Sequence, residues 1–349
     1  MSGQKINCTI AAVLGCSGTS LTDEERSFFR DVSPAGFILF ARNVDTPDQV
    51  RALVDDLRAC IGSEDAPVLI DQEGGRVARL RPPHWPAFPP AGRFGELAHC
   101  DRDAAVEAVR LNARCIGGMV RSLGINVNCL PLLDLQQEGA HDIIGDRSFA
   151  DDPEIVALLG RASCDGLMQA GVLPIIKHMP GHGRARSDTH ETLPVVDASH
   201  RELSDSDFRP FQALSDMPLG MTAHIVYSAL DASAPATTSA VVIHDIIRRE
   251  IGFQGLLFTD DIGMKALGGP FGGRARAALD AGCDLVLHCS GDMAEMVETV
   301  TGCDQLTDQA SQRLDTAMAL VADFDPVDID AEFEWVNELF NRFNVLLTA

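Results

Sequence analysis

Eight short apolar runs recur along the chain, at residues 8–14, 36–40, 67–70, 125–130, 172–176, 219–223, 255–259 and 284–288. They are continuously apolar rather than alternating, the mark of parallel strands buried on both faces. Helical patterns fill the gaps. Residues 22–31 open with a capping box, Thr22 followed by Glu25. Residues 47–60 open with Thr46 as N-cap and Pro47 at the first helical position. Residues 102–123 close at Gly124 and residues 153–170 at Gly171, both C-cap signals. Residues 208–214, 240–251, 273–281 and 293–301 complete the set. Strands alternating with helices imply βαβ crossovers, and eight such units predict an α/β fold, a closed (β/α)8 TIM barrel. An open doubly wound sheet is the alternative. It would place a GxGxxG turn after the first strand, and Gly15-Cys16-Ser17-Gly18 does not fit. One domain over residues 1–349 is expected. Its tail, 326–349, has Phe333, Val336, Leu339 and Phe340 at helical spacing and is expected to pack on the barrel's outside as a helical extension.

Charge narrows the partners. The formal net charge is -23, a field that repels nucleic acid and anionic membrane; neither is expected to bind. There is no stretch of 18 apolar residues to span a bilayer. The ten cysteines form no CxxC pair, and Cys8, Cys129, Cys283 and Cys289 sit in apolar runs. They read as small buried hydrophobes of a reducing compartment, so a cytoplasmic location is expected. Residues 6–16 superficially resemble a lipoprotein signal. Asn7 and Cys8 interrupt them, Lys5 is the only basic residue nearby, and Leu14 is bulky; a buried first strand is the simpler reading.

In such barrels chemistry sits at the C-terminal strand ends. The third run is followed by Asp71-Gln72-Glu73-Gly74-Gly75-Arg76, and the fourth leads to Asp134 and then Gly145-Asp146-Arg147-Ser148-Phe149. The fifth is followed by Lys177-His178-Met179-Pro180-Gly181-His182-Gly183 and then Asp188-Thr189-His190. The sixth gives His224, the seventh Asp260-Asp261, and the eighth His288. Charges gathered at one end of an apolar barrel are costly to hold there without a use. Each also has a plain structural reading. Asp134 and Asp261 are open to a helix-capping role, His288 reads as a satisfied core histidine, and Glu73 and His182 read as hydrogen-bonding residues of tight Gly-rich turns. That reading is weakest for Lys177, His178, Asp188 and His190, four chemical groups in one long loop. No metal is expected: the first strand ends Leu14-Gly15-Cys16 without an HxH pair, and no HExxH occurs. No other cofactor is expected.

The segments KHMPGHGRARSDTH (177–190) and LLFTDDIGMK (256–265) resemble the family 3 glycoside hydrolases, specifically the bacterial β-N-acetylglucosaminidase branch of cell-wall recycling. DQEGGR (71–76) with Arg79, GDRSF (145–149) and AHIVY (223–227) follow in that family's order. The length matches the single-domain kind. The resemblance implies a hydrolase with Asp260 as nucleophile, His190 as general acid/base and Asp188 as its dyad partner. It implies that Asp71, Arg79, Arg147, Lys177 and His178 hold a terminal N-acetylglucosamine. The implied substrate is N-acetylglucosamine β-1,4-linked to 1,6-anhydro-muramic acid, with or without a peptide, acted on by a monomer. A family 3 β-glycosidase of other sugar specificity, or an N-acetylglucosamine phosphorylase, is the alternative, since a neutral histidine does not repel an anionic acceptor.

The residues suit that chemistry. Retention requires a nucleophile on one face of the sugar and a proton donor at the leaving oxygen. Histidine exchanges protons near neutrality, and an acid two residues away can orient its ring, as in a Ser-His-Asp triad. The Gly and Pro residues of the 177–190 loop suggest motion that presents the dyad once substrate binds. The Asp260-Asp261 pair admits a rival, attack by the substrate's own acetamido group. Trp85 is open to sugar stacking or to packing. A non-catalytic sugar-binding barrel would be expected to have lost Asp260, Asp188 or His190, and all three are present.

Overall fold

The computed structural model describes residues 9–137, 143–185, 192–324 and 326–346. Eight parallel strands close into a barrel: β1 (Ile10–Leu14), β2 (Pro34–Leu39), β3 (Val68–Ile70), β4 (Val127–Asn128), β5 (Leu173–Met179), β6 (Leu219–Thr222), β7 (Leu256–Asp261) and β8 (Leu285–His288). Each pairs with its sequence neighbours, and Leu14 of β1 meets His288 of β8 to close the ring. All eight expected strands are present in order, and the expectation of a closed barrel over an open sheet is met.

Helices occupy the crossovers. The capping box forms at the start of α1 (Asp23–Val32), where Thr22 accepts from Glu25 N–H and Glu25 reaches back to Thr22 N–H. Thr46 caps α2 (Pro47–Ile61). Then come α3 (Ala91–Cys100), α4 (Arg102–Arg121), α5 (Pro153–Gln169), α6 (His200–Asp205) and α7 (Phe208–Ala213). The segment Val242–Glu250, expected as an α-helix, is wound in the wider π form and ends with Ile251 N–H bonded to Ile246 O. Next are α8 (Phe271–Ala281), α9 (Met293–Thr301), α10 (Asp308–Ala319) and α11 (Ile329–Arg342). Helices α3, α6 and α10 were not expected from the sequence. The tail helix α11 packs against α4. Phe340 meets Phe94 edge-on at 5.2 Å, and Glu332 pairs with Arg114 at 2.8 Å.

Side chains alternate across a strand, so each barrel strand feeds two cores. Ala11, Val13, Leu69, Val127, Leu173, Ile175, Leu219, Met221, Leu256, Phe258, Leu285 and Leu287 form one buried cluster, the barrel's interior. The intervening residues, such as Ala12, Val68, Ile70 and Val172, belong to clusters shared with the helices. Fully burying an aliphatic side chain contributes roughly 1.5–3 kcal/mol, and a strand buried on both faces gains it at every residue. This explains the continuous apolar runs.

Candidate active site

The inward row of each strand changes character at its C-terminal end. Asp71 follows Leu69, Cys129 follows Val127, and Lys177 follows Leu173 and Ile175. Asp260 follows Leu256 and Phe258, and Cys289 follows Leu285 and Leu287. Period-two alternation thus delivers these five residues to one place. They line a cavity of about 270 Å³, together with Phe40, Arg79, Arg147, His178 and His182.

One side of the cavity is an ion network. Lys177 Nζ lies 2.9 Å from Asp71 Oδ1 and 2.8 Å from Glu73 Oε1. Arg79 reaches Asp71 Oδ2 at 3.0 Å, and Arg147 grips Glu73 with two bonds of 2.8 and 2.9 Å. Burial pushes Asp71 and Glu73 up, but Lys177 and Arg79 around the first, and Arg147 and Lys177 around the second, outweigh it. Both carboxyls are held below their ordinary range. Burial likewise disfavours the Lys177 ammonium, and Asp71 and Glu73 more than offset it. The Gln72 side chain organises this corner. It accepts from the N–H groups of Arg79 and Leu80 and donates to Leu80 O, which folds Arg79 back beside Asp71. Gly74 has φ +98°, and a Cβ there would lie 2.4 Å from Pro89 O; only glycine fits this turn. Phe40 is flanked by the guanidinium groups of Arg42 and Arg79, 5.1 and 4.9 Å from its ring centre. It is an aromatic wall of the cavity that sequence reading missed.

Asp260 stands opposite. Its Oδ1 accepts the Asp261 N–H at 2.8 Å, and its Oδ2 is 4.0 Å from His178 Nε2. Burial raises its pKa, but His178, His224, the Asp261 N–H and Lys177 together bring it below the usual carboxylate value. It is an ionised carboxylate at a strand end, facing the cavity. His178 has the outward parity of β5, yet it lines the cavity because the pairing register shifts between Ile176 and Met179. Asp134, fully buried, holds it: Oδ2 is 2.8 Å from His178 Nδ1, and Oδ1 accepts the N–H groups of His178 and His182 at 3.1 and 2.7 Å. Burial raises the Asp134 pKa, but His178 and these bonds bring it down to about 2. His182, pushed down to about 4 by burial and then by His178, has a buried Nδ1 without a hydrogen-bond partner.

The structure brings Asp71, Arg79, Arg147, Lys177, His178 and Asp260 together in this cavity. Asp188 and His190 lie outside the described residues. Several structural readings need correction. The first half of the 177–190 loop is tied to its surroundings by several contacts. Tyr227 OH donates to Gly181 O at 2.8 Å, Arg184 pairs with Asp207 at 2.7 Å, and Ala185 is buried. Gly183 is there for fit, since a Cβ would lie 1.9 Å from Leu135 O. Asp134 does not cap a helix; it clamps two histidines. Asp261 accepts the N–H groups of Gly263 and Cys289 at 2.9 and 3.2 Å, tying β7 to the end of β8. His288 points away from the lumen against Phe271. It is buried, but neither ring nitrogen makes a hydrogen bond, and Glu295 stands 3.5 Å away. Trp85 belongs to the helix-side core and does not line the cavity. Glu73 fits its structural reading. His224, on which sequence gave no decision, places Nε2 2.9 Å from Asp261 O and braces the strand end. Among the described residues no group of three or more His, Cys, Asp or Glu is placed to hold a metal ion.

Residues 9–323 match the glycosyl hydrolase family 3 N-terminal domain. A beta-hexosaminidase of Bordetella avium is 34% identical over 326 residues, 91% of each chain. One from Alkalilimnicola ehrlichii is 38% identical over 286 residues, 80% of each. Among solved structures, NagZ of Neisseria gonorrhoeae in complex with N-trifluoroacetyl-D-glucosamine superposes with a TM-score of 0.83 at 30% identity, covering 94% of this chain and 97% of that one. A strand-end carboxylate in a polar barrel mouth, a matching domain over most of the length and relatives of the same size converge: the chain belongs to glycosyl hydrolase family 3, in its β-N-acetylhexosaminidase branch.

Proposed function

We propose that this enzyme removes terminal, non-reducing N-acetylglucosamine from peptidoglycan fragments, N-acetylglucosaminyl-1,6-anhydro-muramic acid with or without its peptide. It does so in the cytoplasm, as a monomer, with retention of configuration. The carrying observation is Asp260, a half-buried carboxylate facing the cavity and held ionised by its neighbours, which suits attack at an anomeric carbon. A covalent glycosyl-enzyme then forms on Asp260 and water hydrolyses it. The family resemblance supplies His190 as general acid/base and Asp188 as the group that orients it. Asp71, Arg79, Lys177 and His178 offer hydrogen-bonding partners to the sugar hydroxyls, and Arg147 holds Glu73 and the cavity's edge. A cavity of about 270 Å³ lies at the small end of ligand pockets. It suits one terminal sugar ring and hence release from a chain end. The N-acylglucosamine bound by the N. gonorrhoeae neighbour supports an N-acetyl sugar. No helix among the described residues is long and apolar enough to cross a membrane.

The test is release of p-nitrophenol from the β-N-acetylglucosaminide, the β-glucoside and the β-xyloside. Turnover of the first well above the other two is expected. Equal or preferred turnover of the glucoside removes the substrate assignment. Product analysis with purified muropeptides, with and without added phosphate, separates hydrolysis from phosphorolysis.

A further inference from the structure

Asp134 is a buried acid to which no role in sugar binding or catalysis has been given, and its bonding is one-sided. Two main-chain N–H groups, those of His178 and His182, donate to Oδ1, and Oδ2 lies 2.8 Å from Nδ1 of the His178 ring. An ionised carboxylate only accepts hydrogen bonds. Nδ1 of His178 therefore carries a hydrogen, and any proton the ring gains or loses is exchanged at Nε2. That nitrogen faces Asp260 Oδ2 across 4.0 Å. The separation is too long for a direct bond, and it leaves Nε2 able to accept from a sugar hydroxyl seated beside Asp260.

We propose that Asp134 is a positioning residue: it fixes the Nδ1–H tautomer of His178 and so presents Nε2 as an acceptor for a sugar hydroxyl beside Asp260. In the opposite tautomer a neutral ring would aim an N–H at Asp260, competing with the sugar for the nucleophile. Because Asp134 also holds the His182 N–H, the same carboxylate sets the turn on which His178 sits. The inference rests on the reading that Asp260 and His178 touch the sugar.

Two measurements test it. The first needs no variant: nitrogen-15 NMR of histidine-labelled enzyme, with the His178 signals assigned by their loss in His178→Gln. A neutral ring protonated at Nδ1 is expected; a neutral ring protonated at Nε2 overturns the proposal. The second is Asp134→Asn, which keeps the shape but places an amide donor among three donors. Its expected effect is a fall of roughly 10²-fold or more in kcat/KM, within the range a displaced orienting acid produces, together with a change in the His178 tautomer. A kcat/KM within about threefold of the parent, with the tautomer unchanged, overturns it. Asp260→Asn distinguishes the two levels. If it retains turnover, the site reading has failed. If it is inactive while Asp134→Asn is fully active, this inference alone has failed.

Discussion

His178 Nε2 and Asp260 Oδ2 face each other at 4.0 Å across the mouth of the barrel. Neither satisfies the other, so a hydroxyl oxygen of the substrate is expected to donate its hydrogen to Nε2 beside the carboxylate. Replacing His178 by Ala removes one hydrogen bond to that atom. A hydrogen bond between neutral groups is worth about 0.5–1.5 kcal/mol, so kcat/KM for the p-nitrophenyl β-N-acetylglucosaminide is expected to fall roughly 2- to 12-fold, at a factor of ten per about 1.4 kcal/mol. An unchanged kcat/KM would show that the sugar does not bond to His178.

Lys177 is the keystone of the ion network. Its replacement by Met leaves Asp71 to Arg79 alone and Glu73 to Arg147 alone. Breaking a buried pair in this way costs roughly 3–5 kcal/mol. Without the cation both carboxyls are held down less strongly, so the variant's deficit relative to the parent should be smaller at pH 5 than at pH 7. Urea unfolding at the two pH values checks this. Wild-type stability in Lys177→Met would mean that the network is not holding the site.

The barrel was legible because its physics is written in composition: strands buried on both faces must be apolar throughout. The site was half legible. Asp71, Lys177 and Asp260 end apolar runs, and their parity with Leu69, Ile175 and Phe258 puts them on the lumen side. Parity also separates His288, which faces the helices, from Cys289, which faces the cavity. Asp134 was not legible, since nothing along the chain says that an acid after β4 will meet the N–H groups of residues after β5. Helix α3 was missed because its segment holds Gly92 and Gly95 and has no side-chain cap. The π winding of Val242–Glu250 escaped because nine residues of apolar spacing do not separate 3.6 residues per turn from a slightly wider helix. Gly183 in the 177–190 loop has a packing role that spacing along the chain does not show.

Gly183→Ala tests that packing. Its Cβ would overlap the Leu135 carbonyl, forcing the chain away from Asp134. A lower melting temperature and reduced kcat/KM are expected together, since the same turn carries His178 and His182. A variant with unchanged stability and activity would mean that the turn yields without consequence.

Acid should unfold the enzyme in two stages. His182, His224 and His288 are all depressed, primarily by burial. Their neutral forms stabilise the fold fully above the ordinary histidine value of about 6.5. That contribution declines below it, because the unfolded chain takes up the protons first. Asp71, Glu73, Asp134 and Asp260 are also depressed, and their contribution is lost only as pH falls below about 4. Melting temperature should therefore decline between pH 7 and 5 and steepen below 4. A flat profile from 7 to 5 would contradict the buried, neutral histidines.

The central claim is that Asp260 forms the covalent bond to the sugar. A fluorinated N-acetylglucosaminyl fluoride that slows breakdown of the intermediate, followed by proteolysis and peptide mass spectrometry, tests it directly. One sugar per enzyme is predicted, on the peptide containing Asp260, with no labelling in Asp260→Asn. Label on another residue, or an oxazoline product with no protein label, would contradict the account.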